Sequence, residues 1–374
     1  MSERIAEALT NHWALNPAAA HTAAERMGRV EREQIYRIVE ALPEEAVTFR
    51  DESRALFAEI NTIPAGAPPP PKKAVGQGPC SGDCETAKQA LFDHTHQVQA
   101  DNPNAFVYVR LNGAKPRTNG KYLGAHYALD QNERDDFLKI TRSAFEQRIP
   151  ILTEVTAPWQ LGIMAPFLTG FWIGARDSTG SDLRATSSGL TLPVGVKNTL
   201  DGDTAKLEQA IEAIRQDNDP QGSGMRLPDI GEDEKQRGIS VGTLPAYGNP
   251  NLTIIARGHD SPAALTDAER RTKALEHISS LCIVGAREGI AVTIDGSHDT
   301  PKMFGIERTS EERFPQVMRK IFEAIANGEI EQADAIRGML CEMGTATGRT
   351  DKNWIVSPKS TKVMSELVRD FISI

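Results

Sequence analysis

Apolar residues recur at roughly helical spacing in the first sixty residues of the chain. Two runs show this pattern, with Met27, Val30, Ile35, Ile38 and Leu42 in the first and Ala55, Leu56 and Ile60 in the second. Residues 64–73 follow them and contain four consecutive prolines, which favour an extended backbone. The pattern predicts an N-terminal helical extension over residues 1–67 and a second domain over residues 74–374.

Beyond residue 73 the pattern changes to short β-rich runs that alternate with helical ones. Seven runs have the composition of buried strands: residues 74–81, 105–111, 150–157, 171–177, 193–199, 252–258 and 290–298. The windows 130–147 and 204–215, which lie between them, place their apolar residues on one helical face. This alternation is typical of a parallel α/β sheet or barrel, and we predict a (β/α)8 TIM barrel.

Seven candidates leave one of the eight barrel strands to be found. Residues 218–243 are polar and rich in glycine and proline, and within them only residues 238–243 (GISVGT) resemble a strand. We therefore expect the sixth strand there. After residue 298 the pattern is mainly helical, most clearly in residues 314–326 and 362–372.

Composition and charge exclude several classes of protein. The 374 residues are 39% hydrophobic and 25% charged, as in a soluble globular protein with a real core. A net charge of -9 argues against nucleic acid or an anionic membrane as the main partner. The polar residues 1–9 do not form a secretory signal and no run of 18 apolar residues occurs, so a cytoplasmic location is expected. Four cysteines are too few for a disulfide framework.

Residues that carry chemistry lie at the ends of the predicted strands. Those at or next to a C-terminal strand end are Cys80, Arg110, Glu154, Arg176, Lys197, Arg257 and His298. Each alone has an ordinary explanation, such as a solvated arginine or a packed cysteine, but that end of a (β/α)8 barrel carries the active site. Four cations in an acidic protein favour a small ligand with a carboxylate and a phosphate. Cys80 and His298 together suggest a divalent metal ion.

Six motifs then carry a resemblance to a known family. They are GPCS at residues 78–81, KPRT at 115–118, GAR at 174–176, SGLTLPVGVKN at 188–198, GNPNLTIIARG at 248–258 and DGSH at 295–298. Each motif alone is a weak signal, but their order and spacing resemble type I 3-deoxy-D-arabino-heptulosonate 7-phosphate (DAHP) synthases over about residues 74–354. The resemblance implies condensation of phosphoenolpyruvate with erythrose 4-phosphate and water, with release of phosphate. This reaction is the first step of the shikimate pathway of aromatic amino acid biosynthesis.

The resemblance also implies a bound divalent metal ion. Mn²⁺ is expected, with Fe²⁺, Co²⁺ or Zn²⁺ as alternatives. The ligands would be Cys80, His298, Glu342 and Asp351. Asp351 stands in the segment TDKNW, a shortened form of the family's motif, and its ordinary explanation is a solvated loop aspartate.

The remaining site residues carried over by the resemblance bind or activate the substrates. Catalytic roles are implied for Arg110, Lys115, Glu154 and Lys197, with Lys115 as a candidate proton donor. Phosphoenolpyruvate is expected to contact Arg110, Arg176, Lys197 and Arg257. The aldose phosphate is expected to contact Arg117, Thr118, Arg184 and Thr191.

The sequence departs from the family pattern mainly around the aldehyde substrate. GPCS continues with Gly82, Asp83 and Cys84 where the family usually has Ile-His-Asp, and Ala114 stands where a glutamate usually precedes KPRT. Two alternatives therefore stand beside the ordinary synthase. One is a divergent enzyme of specialised metabolism that uses another phosphorylated aldose. The other is a catalytically silent regulatory barrel, which the retained cations and metal ligands disfavour.

The N-terminal extension carries no catalytic signature. We expect it to cover part of the barrel or to form an oligomer contact, with a role in assembly or regulation. The expected assembly is a homodimer or a homotetramer.

Overall fold

A closed barrel of parallel strands forms the centre of the protein. The computed structural model describes residues 2–64, 72–78, 85–111, 117–118, 121–122, 131–155, 158–175, 181–215, 226–227, 239–240, 248–259, 265–306, 312–343 and 356–374. The strands in these ranges are β1 Lys73–Gly78, β2 Ala105–Leu111, β3 Arg117–Thr118, β4 Lys121–Tyr122, β5 Ile151–Val155, β6 Gly170–Ile173, β7 Val194–Lys197, β8 Arg226–Leu227, β9 Ile239–Ser240, β10 Leu252–Ala256, β11 Ala291–Asp295 and β12 Ile336–Glu342.

Eight of these strands close the barrel in the order β1, β2, β5, β6, β7, β10, β11 and β12. Every neighbouring pair is parallel, and β12 pairs with β1 to complete the ring. The predicted (β/α)8 barrel is confirmed. The four remaining strands form two separate antiparallel pairs, β3 with β4 and β8 with β9.

The prediction of a barrel strand at residues 238–243 is wrong. Ile239–Ser240 pairs with Arg226–Leu227 outside the barrel, and β10 lies directly beside β7, with Thr253 opposite Gly195. The missing strand is Ile336–Glu342, in a stretch read as mainly helical. Its seven residues are all buried, and the periodicity of a short buried run does not separate a strand from a helix segment.

Helices surround the barrel. Those after the extension are α5 Glu85–Asp101, α6 Gln131–Glu146, α7 Pro158–Met164, α8 Ser181–Ser188, α9 Thr204–Arg215, α10 Asp267–Glu288, α11 Thr300–Met303, α12 Arg313–Ala326 and α13 Pro358–Ser373, with 3-10 turns at Ala165–Phe167 and Ala333–Ala335. Local sequence fixes their ends. Thr266 and Glu269 form a capping box that begins α10, and Gly289 ends it in the left-handed conformation at φ 67°. Among the described helices, none is long and apolar enough to span a membrane.

The first 64 residues are helical as well. The helices of the extension are α1 Ser2–Trp13, α2 Pro17–Arg26, α3 Arg29–Glu40 and α4 Glu44–Asn61. Side chains of α1 and α2 belong to the same hydrophobic core as the outer faces of the barrel strands. The indole N–H of Trp13 donates to the carbonyl of Gly162, 2.8 Å away. Residues 65–71 of the predicted linker lie outside the described residues, so the predicted domain boundary, like the predicted role in assembly, stays a prediction.

Helix α4 closes the N-terminal end of the barrel. A second core cluster fills the barrel interior and consists of Phe57, Ile60, Ala74, Phe106, Tyr108, Leu152, Trp172, Ile255 and Leu340. The Phe57 ring lies 5.7 Å from the Phe106 ring and 5.6 Å from the Tyr108 ring, centroid to centroid. Just after α4, the amide of Ile63 donates to the carbonyl of Gly289, ahead of β11. The opposite, C-terminal end of the barrel carries the polar residues.

Replacing Phe57 by alanine is expected to destabilise the protein by about 3–5 kcal/mol, because it removes a buried aromatic ring from the interior cluster and leaves a cavity. The free energy of unfolding measured in urea tests this. Val30→Ala in α3 is the control, since Val30 is 65% exposed and its truncation should change stability by less than about 0.5 kcal/mol. An equal decrease in the free energy of unfolding in both variants would show that α4 does not seal the barrel.

His94 joins α5 to the barrel and to α13. Its Nε2 atom lies 2.8 Å from Oε1 of Gln77 on β1, and its Nδ1 atom lies 2.7 Å from Oγ1 of Thr361 on α13. Burial lowers the pKa of His94 to about 4. The buried imidazole is therefore neutral near pH 7.

This lowered pKa predicts a loss of stability in acid. Between pH 6.5 and about 4 the unfolded chain binds a proton at His94 that the folded chain does not, so the free energy of unfolding falls as the pH falls through this window. His94→Gln should make the fall smaller by about 2–3 kcal/mol. Urea unfolding at pH 7 and pH 4.5 measures it, with the exposed His21→Gln as control. An unchanged pH dependence in His94→Gln would contradict the assignment.

Candidate active site

Six of the predicted site residues lie at the C-terminal end of the barrel and are described by the structure. They are Arg110 on β2, Glu154 on β5, Lys197 on β7, Arg257 directly after β10, His298 after β11 and Glu342 at the end of β12. Because all eight strands are parallel, these positions meet at one mouth of the barrel. All except His298 are less than 9% exposed.

Asp295 lies at the centre of this group. Its Oδ2 atom is 3.2 Å from Nζ of Lys197 and 2.7 Å from Nδ1 of His298. Burial raises the pKa of this carboxyl, but the neighbouring His298, Lys197 and Arg110 outweigh burial and hold the pKa well below its usual range. The sequence prediction missed Asp295. The signal was there, since Asp295 ends the apolar run AVTID and begins the DGSH motif.

His298 and Glu342 lie side by side, as their predicted role as metal ligands requires. Nε2 of His298 is 3.6 Å from Oε2 of Glu342, and Nη1 of Arg110 is 3.6 Å from the same oxygen. The backbone amide of Glu342 donates to Oγ of Ser297, 2.6 Å away. Burial lowers the pKa of His298, although the Asp295 carboxylate raises it, which leaves the neutral imidazole that a metal ion needs.

Trp172 forms the floor under the charged residues. Its indole N–H donates to Oε2 of Glu154 at 3.1 Å. The ring centroid lies 5.6 Å from Cζ of Arg110 and 5.7 Å from Nζ of Lys197. Trp172 was also missed from the sequence, because a tryptophan in an apolar run is ordinarily a core residue.

Arg257 is held by two neighbours. Its Nη2 atom lies 2.7 Å from Oδ2 of Asp299, and its backbone amide donates to Oδ1 of Asn198 at 2.8 Å. Lys302 contacts the other oxygen of the same carboxylate, at 3.0 Å. Burial raises the pKa of Asp299, but Arg257 and Lys302 lower it below its ordinary value, so the carboxylate is ionised. Asp299 is a further residue that the sequence prediction missed.

Several predicted site residues cannot be placed in this arrangement. Cys80, Lys115, Arg176 and Asp351 lie outside the described residues. Arg117 and Thr118 form β3, but the structure describes only their backbone. Arg184 lies half-buried on α8, the helix that follows β6. The roles predicted for these residues stay predictions.

The predicted place of Thr191 in the substrate site is wrong. Thr191 precedes β7 and therefore lies at the N-terminal end of the barrel, whereas Lys197 ends the same strand on the other side. Its backbone amide and its hydroxyl both donate to the carbonyl of Ala14, at 2.7 and 3.1 Å. Thr191 joins the N-terminal helices to the barrel. The motif match placed it near the site because residues 188–198 run the full height of the barrel.

The residues present fit a divalent metal ion. His298 and Glu342 offer an imidazole nitrogen and a carboxylate oxygen at a distance that one cation can bridge. Asp295 contacts the other ring nitrogen of His298, and such a carboxylate partner fixes the tautomer and orientation of a metal-binding histidine. Within the described ranges no group of three His, Cys, Asp or Glu side chains could hold a metal by itself. The two further ligands predicted, Cys80 and Asp351, belong to the segments that are not described.

Comparison with known proteins gives a consistent result. Residues 72–359 match the DAHP synthetase I family. The Tyr-sensitive phospho-2-dehydro-3-deoxyheptonate aldolase of Salmonella typhimurium is 29% identical over 211 residues, which cover 54% of this chain and 55% of that protein. The tyrosine-inhibited phospho-2-dehydro-3-deoxyheptonate aldolase of Candida albicans is 27% identical over 283 residues, 73% of this chain and 69% of that protein.

A solved structure supports the fold. The structure of phospho-2-dehydro-3-deoxyheptonate aldolase from Francisella tularensis aligns with a TM-score of 0.62 at 19% identity, covering 88% of this chain and 94% of that one. The matched region spans only about half the length of the bacterial curated relatives.

Proposed function

The chain belongs to the DAHP synthetase I family, as its motifs predict, and on that basis we propose that it condenses phosphoenolpyruvate with erythrose 4-phosphate and water. The products are 3-deoxy-D-arabino-heptulosonate 7-phosphate and phosphate. The observation that carries the proposal is the set of three buried cations, Arg110, Lys197 and Arg257, at the C-terminal end of an acidic protein's barrel. Buried cations at that end serve an anionic substrate.

The charge balance of the site supports a role for a metal ion in binding this substrate. Four described carboxylates, Glu154, Asp295, Asp299 and Glu342, face four described cations, Arg110, Lys197, Arg257 and Lys302. These eight charges cancel, and Arg313, whose guanidinium donates to the carbonyl of His298, adds one buried positive charge beside them. A substrate that carries both a carboxylate and a phosphate needs additional positive charge, which Lys115, Arg176 and a divalent ion held by His298 and Glu342 would supply.

Different residues bind the substrate and position the groups that bind it in the proposed reaction. Arg110, Lys197 and Arg257 bind the carboxylate and phosphate of phosphoenolpyruvate and orient its C3 atom towards the aldehyde carbon. Asp295 holds both Lys197 and the ring of His298 in place. The divalent ion, when bound, polarises the aldehyde carbonyl as a Lewis acid.

Three changes of bonding complete the proposed reaction. The π electrons of the C2=C3 bond form the new bond from C3 to the aldehyde carbon, while the carbonyl π pair moves to the aldehyde oxygen. Water adds at C2, and the C2–O bond to the phosphate group then breaks, which releases phosphate and leaves a ketone at C2. One proton of the water goes to the phosphate, and the other replaces the proton given to the aldehyde oxygen. The aldehyde oxygen must gain a proton, and Lys115 is the proposed donor. Arg117, Thr118 and Arg184 are proposed to bind the phosphate of the aldose.

A second candidate is condensation of phosphoenolpyruvate with a different phosphorylated aldose. It is favoured by the departures from the family pattern, which lie beside KPRT and after GPCS rather than at the strand-end cations. Condensation rates with a panel of four- and five-carbon aldose phosphates separate the two candidates. If the first candidate function is correct, erythrose 4-phosphate should give the highest condensation rate.

The test of the proposed function is phosphate release from phosphoenolpyruvate. We expect release only when an aldose phosphate is present, because the attack of C3 on the aldehyde precedes loss of phosphate. A catalytically silent barrel would release none with any aldose. Release at the same rate without aldose would indicate simple hydrolysis and would contradict the proposal.

A further inference from the structure

Trp172 lies at the boundary between two layers of the barrel interior. On its N-terminal side it packs in the apolar cluster with Tyr108 and Ile255. On its C-terminal side it contacts Arg110, Glu154 and Lys197. We propose that Trp172 is a positioning residue that keeps Arg110 and Lys197 available to phosphoenolpyruvate, an inference that rests on the proposed function.

Each of the two cations lies near both a carboxylate and the Trp172 ring. Arg110 lies 3.6 Å from the carboxylate of Glu342, and Lys197 lies 3.2 Å from that of Asp295. Both also lie within the ~6 Å of the Trp172 ring centroid over which a cation is attracted to an aromatic face. A carboxylate neutralises the cation it binds, whereas a neutral ring attracts the cation and leaves its charge to act on a ligand. The ring therefore offsets the pull of the two carboxylates.

The indole N–H adds a second effect. Glu154 is 2% exposed, so its carboxylate lies among the same buried groups that must receive an anion. The hydrogen bond from Trp172 holds one of its oxygens towards the floor of the site. A carboxylate fixed in that direction repels an incoming phosphate less than one that is free to turn.

The barrel is built to hold the indole in this place. Trp172 is in register with Glu154 on one side and with Gly195 on the other. A Cβ atom on Gly195 would lie 3.1 Å from Cβ of Trp172 and 2.6 Å from Cδ1 of Ile255. Gly195 thus leaves the space that the large side chain needs, and the buried ring has little freedom to move.

The experiment measures the dissociation constant of phosphoenolpyruvate by calorimetry. Trp172→Leu, which lacks both the ring and the N–H, should raise it about tenfold, and Trp172→Phe, which keeps a ring, about threefold. Trp13→Phe is the matched control, because it also removes a buried indole N–H bond but at the opposite end of the barrel. Its dissociation constant should equal that of the wild type. In turnover assays KM for phosphoenolpyruvate should rise with little change in kcat.

The inference is overturned if neither Trp172 variant weakens binding by more than twofold relative to Trp13→Phe. Circular dichroism identifies a variant that fails to fold. If Trp172→Leu fails to fold, the test is the dissociation constant of phosphoenolpyruvate for Trp172→Phe compared with that for Trp13→Phe. Inorganic phosphate is titrated in parallel. If the wild type binds phosphate but does not condense the two substrates, the proposed function fails, while the same variants still test Trp172. A wild type that binds neither anion overturns both.

Discussion

Replacing Lys197 by methionine is expected to lower kcat/KM for phosphoenolpyruvate by about two to three orders of magnitude. Lys197 is 2% exposed at the end of β7, and a charge in such a desolvated site interacts with an anion far more strongly than one in water does. Methionine keeps most of the volume and removes only the ammonium group. The measurement is steady-state kinetics with phosphoenolpyruvate varied.

The same substitution should destabilise the protein by about 3 kcal/mol, because it removes a partner of the buried Asp295 carboxylate. The double variant Lys197→Met, Asp295→Asn should recover part of this stability but none of the activity. Lys206→Met is the control. Lys206 pairs with Asp201 on the surface, where both side chains are about half exposed, and its loss should change neither quantity measurably.

This pair of measurements separates substrate binding from structure. If the double variant regained activity together with stability, Lys197 would act only by neutralising Asp295. If Lys197→Met kept wild-type kcat/KM, the assignment of the buried cations to phosphoenolpyruvate would be wrong.

Removal of divalent metal is expected to abolish condensation, and Mn²⁺ is expected to restore it, since polarisation of the carbonyl contributes several kcal/mol to the stability of the transition state. In His298→Ala and in Glu342→Ala, Mn²⁺ should fail to restore activity. Asp295→Asn should bind Mn²⁺ about 10–100 times more weakly, because the ring of His298 loses its carboxylate partner.

Calorimetric titration of metal-free protein with Mn²⁺ measures this affinity independently of activity. His21→Ala, an exposed histidine on α2, serves as control and should bind Mn²⁺ as the wild type does. Full activity after chelation would contradict a metal-dependent reaction. Unchanged Mn²⁺ affinity in both His298→Ala and Glu342→Ala would move the metal to other residues.

The fold could be predicted where the strand pattern was bounded by turns. Val194–Lys197 and Leu252–Ala256 are short apolar runs that end in Lys197 and just before Arg257, so both the strand and its functional end could be read from the sequence. Strand β12 could not, because Arg337 and Gly338 interrupt an apolar run that follows a helix, and only its pairing with β1 and β11 makes it a strand. Strand β9 was mistaken for a barrel strand because GISVGT was the only strand-like run within residues 218–243, and its pairing with β8 outside the barrel is a contact that the sequence pattern does not contain.

The candidate site was predicted by position along strands, and this explains both its successes and its errors. Predicted strand ends placed Arg110, Lys197 and Arg257 at one mouth of the barrel, whereas Glu342 was named only through the family resemblance. Trp172 and Asp295 contribute through contacts between different strands, which a linear pattern does not contain. Such contacts depend on the register of the barrel.

The most direct test of the proposed reaction is to identify and count its products. Purified protein is incubated with phosphoenolpyruvate, erythrose 4-phosphate and Mn²⁺, and the mixture is analysed by mass spectrometry and a phosphate assay. The proposed function predicts a seven-carbon phosphorylated 3-deoxy keto acid formed in equal amount to the phosphate released, and neither product with Lys197→Met. Phosphate release accompanied by pyruvate and no seven-carbon product would contradict it.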